Sequence, residues 1–214
     1  MKNLSRRSLF AAAAGLLQAQ QAEAGFQPLF DGRTLDGWQL VGGRGPGYLV
    51  ENGAIVCPED GGGNLFTVRE FADFTLRLEW RLWEGGNNGI GIRSPLSTAV
   101  SAEGMEIQVL DDESEKYKGR LRPEQYTGSV YGVAAARMGF VKRNGVWNAY
   151  EITAYGPRIH VVLNGENILD TDLSRVTDPG VLKQHPGIRR LKGHIGLLGH
   201  GTRVEFRRLR IREF

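Results

Sequence analysis

Phe74-Thr75-Leu76-Arg77-Leu78-Glu79-Trp80-Arg81-Leu82 alternates apolar and polar side chains without a break over nine residues. Successive side chains of an extended strand point to opposite faces. Phe74, Leu76, Leu78, Trp80 and Leu82 therefore share a buried face, and Arg77, Glu79 and Arg81 share the other. Working outward, Ile90 and Ile92 alternate with Arg93, and Met105, Ile107 and Val109 alternate with Glu106 and Gln108. Further short runs read as strands near 48–51, 54–57, 128–133, 148–155, 158–163, 166–171, 193–198 and 203–212, with helical turns only at 123–126 and 173–176. Asn164-Gly165, between Ile159/Val161/Leu163 and Ile168, predicts a two-residue hairpin, because a type I′ turn needs positive φ at both central positions. Thirty glycines spread between these runs mark many turns and no single linker. The pattern predicts an all-β fold, a jelly-roll sandwich of two antiparallel sheets.

The chain is 214 residues long. Its first residues set Arg6-Arg7 before the apolar run Ala11–Leu17 and the small-residue site Ala22-Glu23-Ala24. That order is expected of a twin-arginine export signal spanning 1–24, followed by a single domain over 25–214 in a periplasmic or extracellular protein. The apolar run falls well short of the ~20 residues that span a bilayer, so no membrane insertion is expected once the signal is removed. Without residues 1–24 the balance is 24 basic to 23 acidic residues. Near neutrality argues against nucleic acid as a partner. Cys57 is the only cysteine, so no internal disulfide can form and stability must come from the core.

If the strands carrying Glu79, Arg93 and Glu106 are neighbours, Glu79, Arg93, Glu106 and Gln108 meet on one surface, with Asn87-Asn88-Gly89 close by. Asp111 follows at the end of the Glu106 strand. His200, in a glycine-flanked turn, could serve as base or ligand. Trp83, Trp147 and Tyr131 offer the apolar faces on which sugar rings stack. The acidic run 111–116 reads as a solvated loop or as an oxygen-rich divalent-cation site, with no cofactor otherwise indicated. His160, His185 and His194 show no metal-like spacing.

Several stretches in order, Phe26–Trp38, Glu79-Trp80-Arg81, Asn87–Ile90 with Arg93, Gly104–Gln108 with Asp111, Trp147-Asn148, Asn164-Gly165 and His200-Gly201, resemble the 3-keto-disaccharide hydrolase family. The chain departs from the family pattern at Asn88, where serine is usual, at Leu198, near a usual glutamine, and at Arg208, where asparagine is usual. The resemblance implies a concanavalin A-like lectin/glucanase jelly roll acting on sugars oxidised at carbon three. A carbonyl there acidifies the proton at carbon two. A base can remove that proton, the enolate can expel the group at carbon one, and hydration completes a net hydrolysis.

For such a site Glu106 is the candidate base or ligand, with Glu79 as the like charge that would raise its pKa. Arg93 with Gln108, or a divalent cation in place of Arg93, would hold the oxyanion. Asp111 or His200 would serve the leaving oxygen. Glu79, Asn88, Arg93, Tyr131 and Trp147 would contact substrate, a small carbohydrate. Competing expectations are a conventional two-carboxylate glycosidase using Glu106 and Asp111, a carbohydrate-binding module without turnover, and a structural envelope protein. Oligomeric state is not legible.

Overall fold

The computed structural model describes residues 24–214; the expected signal, but for Ala24 at its end, lies outside these residues. Thirteen strands form two antiparallel sheets. The larger sheet contains β1 (Gln27–Pro28), β3 (Leu49–Glu51), β4 (Ala54–Cys57), β6 (Phe74–Leu82), β9 (Asn148–Tyr155), β10 (Arg158–Leu163), β11 (Glu166–Asp172) and β13 (Val204–Glu213). It runs in the order β11-β10-β9-β6-β13-β4-β3, with β1 paired to β13. The smaller sheet contains β2 (Trp38–Arg44), β5 (Gly62–Phe71), β7 (Asn87–Ser94), β8 (Met105–Leu110) and β12 (Gly193–Leu198), in the order β2-β5-β12-β7-β8. Helix is confined to α1 (Val100–Glu103), α2 (Pro179–Gln184) and three short 3₁₀ turns among the described residues. None is long and apolar enough to cross a membrane.

The predicted inward faces make the core. Leu76, Leu78 and Trp80 from the larger sheet meet Ile90, Ile92, Ile107, Ile195 and Leu197 from the smaller one, each at most 1 % exposed. Truncating such a side chain to alanine costs roughly 2–5 kcal/mol, so this layer is the main source of stability in a chain without a disulfide. The hairpin forms at Asn164-Gly165, with φ of 54° and 93°. Trp80 and Tyr150 pack across β6 and β9 with ring centroids 5.4 Å apart and planes tilted by 53°.

Two strands of the smaller sheet, β2 and β5, are absent from the sequence reading. Gly61-Gly62-Gly63 looks like a turn, yet β5 starts inside it, with Gly62 and Gly63 at positive φ and Gly63 packed on the Gly42-Gly43 backbone. The strand expected at 128–133 is instead a loop that borders β8 through the isolated bridge Ile107↔Val130. Helix α2 is likewise unforeseen; Asp178 caps it by accepting from the Val181 N–H.

Candidate active site

β8 presents Met105, Ile107 and Val109 to the core and Glu106 and Gln108 to the outer face of the smaller sheet. Both polar residues are sunk rather than solvated, at 6 % and 3 % exposure. β7 supplies the neighbouring positions: Gly91 pairs with Glu106 and Gly89 with Gln108. A side chain at Gly89 would collide with the Glu106 carboxyl, its Cβ falling 2.1 Å from Oε1. The missing side chain therefore makes the space in which the carboxylate lies across the sheet. With its amide turned toward that carboxylate, Gln108 Nε2 donates to Glu106 Oε1 at 3.2 Å and to the Asn88 carbonyl at 3.3 Å. In the opposite orientation Nε2 reaches Asn87 Oδ1 at 3.2 Å.

On the far side of β8, Tyr131 N–H donates to the Glu106 carbonyl and Gln108 N–H to the Ser129 carbonyl. The Tyr131 ring is half-buried, its hydroxyl accepting from Gln125. From the turn after β12, His200 places Nε2 3.7 Å from Glu106 Oε1, with half of its side chain exposed. His200 also lines an open cleft of about 360 Å³ together with Val41, Gly42, Arg44, Gly63, Asn64, Thr98 and Gly199. A small apolar cluster, Phe66, Val100 and Leu198, covers the adjoining part of the same face. The structure thus brings Glu106, Gln108 and His200 together, with Tyr131 alongside.

Five other candidates lie elsewhere, and the expected convergence of Glu79 and Arg93 with Glu106 is corrected. Glu79 is on β6, in the other sheet, because β6 pairs with β9 and β13 and not with β7. It is held by Arg207 at 2.7 Å and Arg208 at 2.9 Å, so it cannot supply a like charge to Glu106. Arg93 has φ of 48°, which breaks the alternation and turns its side chain into the end of the sandwich, 1 % exposed. There it donates to the carbonyls of Ala72 and Gly156 and to Asp73 Oδ1 at 2.8 Å. Burial disfavours its charge and the Asp73 carboxylate opposes that shift.

Asp111 Oδ2 accepts from Gly85 N–H and Asn144 Nδ2, bracing the turn before β7. Asn88 points inward, its Oδ1 accepting from the Gly89 and Leu198 N–H groups. Trp147 lies on the outer face of the larger sheet beneath the guanidinium groups of Arg207, 4.0 Å from its ring centre, and Arg81, 4.5 Å away. In the acidic run, Asp112 accepts from both the N–H and the hydroxyl of Thr127, and burial lifts its carboxyl to about 6. Its two aspartates are therefore engaged internally, and among the described residues no group of three or more His, Cys, Asp or Glu is arranged to hold a metal ion.

Sequence reasoning did not single out Arg44, Asn64 or Thr98. Arg44 and Asn64 belong to the two strands it missed, and Thr98 to a loop with no periodic pattern. Asn64-Leu65-Phe66-Thr67 sets two apolar residues side by side after the glycines, so no alternation marks the strand there.

The 3-keto-alpha-glucoside-1,2-lyase-like domain model matches residues 25–212. The chain belongs to that family. A 3-keto-disaccharide hydrolase of Bacteroides thetaiotaomicron is 28 % identical, the match covering 96 % of this chain and 84 % of that protein. A solved structure of a candidate glycosyl hydrolase from Parabacteroides distasonis superposes with a TM-score of 0.76 at 27 % identity, covering 88 % of this chain and 99 % of that one. A carbohydrate-binding module from Bacillus subtilis shares the fold alone, with a TM-score of 0.54 at 12 % identity over 83 % of this chain and 96 % of its own. Family membership and the first two likenesses support a glycoside-acting enzyme.

Proposed function

We propose that this protein cleaves glycosides whose sugar carries a carbonyl at carbon three, by elimination followed by hydration. The observation that carries the reading is the Glu106 carboxylate, sunk beside His200 and Gln108 at the edge of an open cleft, in a member of this family. Glu106 takes the proton from carbon two, and the electrons of that C–H bond pass into an enolate on the carbon-three oxygen. Gln108, donating its amide to the Glu106 carboxylate, holds that base in place for the transfer. Collapse of the enolate restores the carbonyl, forms the double bond between carbons one and two, and breaks the bond to the leaving oxygen. His200 protonates that oxygen. Water then adds across the double bond, hydroxyl to carbon one and hydrogen to carbon two.

The arrangement disfavours the conventional two-carboxylate route. Retaining glycosidases need carboxyl groups ~5 Å apart, and inverting ones roughly 6.5–9.5 Å, whereas Asp111, the sequence-level partner for Glu106, is committed to Gly85 and Asn144. We also propose that the enzyme works outside the cytoplasm, on the strength of Arg6-Arg7 and the apolar run that follows.

The test offers purified protein a 3-keto glucoside and its unoxidised parent. Release of the aglycone from the keto form alone, abolished by Glu106→Gln, is expected. Cleavage of the unoxidised parent at an equal rate would contradict the proposal, and an absence of turnover on either substrate would favour a binding module.

A further inference from the structure

The cleft beside His200 carries polar groups that the protein itself does not use. The exposed side chain of Arg44, at the end of β2, has no hydrogen-bond or ion-pair partner among the described residues, although the other strand arginines are mostly paired. Its guanidinium lies against Gly201, where an added Cβ would be 3.1 Å from Nη2. Asn64 spends its Nδ2 on the Ser97 carbonyl at 3.0 Å and leaves Oδ1 without a donor among the described residues. The Thr98 hydroxyl, from the loop beside Gly42, likewise has no internal partner there. No acidic side chain lines this cleft. Glu106 lies 3.7 Å from the His200 ring, and the Arg44 guanidinium lies against the adjacent Gly201. With Glu106 at carbon two and His200 serving the leaving oxygen, the leaving unit lies on the His200 side, toward Arg44.

We infer that Arg44 is a specificity-determining residue that binds a carboxylate on the leaving unit of the substrate. The planar guanidinium fork matches a carboxylate with two parallel N–H···O bonds, and such charge-assisted pairs are about twice as strong as neutral ones. The inference rests on the proposed reading of Glu106 for the direction of the substrate, but not for the binding of the acid.

The test uses two aryl 3-keto glucosides that differ only in carrying a carboxylate or a hydroxymethyl group on the aglycone, together with their unoxidised parents as non-reacting ligands. The unmodified protein is expected to favour the carboxylate substrate about tenfold in kcat/KM, the discrimination expected of one hydrogen-bonded charge pair. Arg44→Gln should bring that ratio to about one, and Arg44→Lys should recover part of it. Raising the salt concentration should narrow the ratio. Titration calorimetry with the unoxidised parents should show the same preference in Kd, lost in Arg44→Gln. A ratio near one in the unmodified protein, or a preference unchanged by Arg44→Gln, overturns the inference. If no keto substrate is cleaved, the proposed function fails, and the calorimetric comparison still decides for or against Arg44.

Discussion

The outer faces of the two sheets invite opposite readings from sequence and from structure. The larger sheet displays the denser charge: Arg77 pairs with Glu151, Arg81 and Arg203 with Glu205, and Arg207 and Arg208 with Glu79, with Trp147 roofed by two guanidinium groups. Those groups satisfy one another across neighbouring strands, as cross-strand pairs do. On the smaller sheet two charged groups are left without an ion pair to Lys, Arg, Asp or Glu: Glu106, whose nearest ionisable side chain is His200 at 3.7 Å, and Arg44, which lines the cleft beside that histidine. The candidate functional surface is marked here less by the number of its ionisable groups than by those the fold leaves available.

That contrast can be broken by mutation. The largest effect is expected at Glu106, where Glu106→Gln should lower kcat about 10²–10⁴-fold, the range for loss of a general base, with melting temperature nearly unchanged. Glu79→Gln on the other sheet should leave kcat within about twofold. Next comes Arg93→Leu, which strands Asp73 and two carbonyls at the end of the sandwich. Asp73 is about a third exposed and can be solvated, so the cost lies in the carbonyls left without a donor, about 1–3 kcal/mol by denaturant unfolding, while activity per folded molecule should survive. A full loss of activity in folded Arg93→Leu would place it back in the catalytic machinery.

Gly89→Ala sharpens the comparison inside the smaller sheet. Its methyl group would occupy the space of the Glu106 carboxyl. A fall in kcat of about 10–100-fold with a smaller change in KM is expected, since a displacement near 1 Å is worth up to about 10².

Asp112 gives a pH signature. Its carboxyl, raised to about 6 by burial, holds its proton more tightly in the folded than in the unfolded chain. Its contribution to stability is therefore greatest below about pH 4, declines as the pH rises through 6, and stays lost above that. Asp112→Asn keeps the acceptor for Thr127 and removes the charge. It should stabilise the fold at pH 7.5 by about 1–3 kcal/mol and have little effect at pH 4, as followed by thermal unfolding. The smallest effect belongs to Trp147→Ala, which should cost about 1–2 kcal/mol of stability and leave KM unchanged, because the ring lies on the larger sheet away from the cleft.

Face assignment was legible in the sequence wherever alternation was unbroken. Phe74–Leu82 and Met105–Leu110 turn the expected residues inward, and Asn164-Gly165 forms its hairpin. Sheet membership was not legible. β6 and β7 follow one another along the chain, yet they join different sheets, so alternation correctly turned Glu79 and Glu106 outward while giving no sign that outward meant opposite sides of the sandwich. Arg93 escaped because one residue at positive φ reverses the direction that parity predicts. Arg44 and Asn64 escaped because glycine-rich segments, read as turns, instead let β2 and β5 pass close to each other. The placement of Glu106, Gln108 and His200 was legible because two sit on a regular strand and the third follows one directly.

The central claim is proton abstraction at carbon two by Glu106, and cleavage of a 3-keto glucoside in deuterium oxide tests it most directly. The account predicts that sugar released by the unmodified protein carries deuterium at carbon two well above the enzyme-free exchange, and that Glu106→Gln produces neither cleavage nor exchange. Release of sugar that retains only the original hydrogen at carbon two would contradict it.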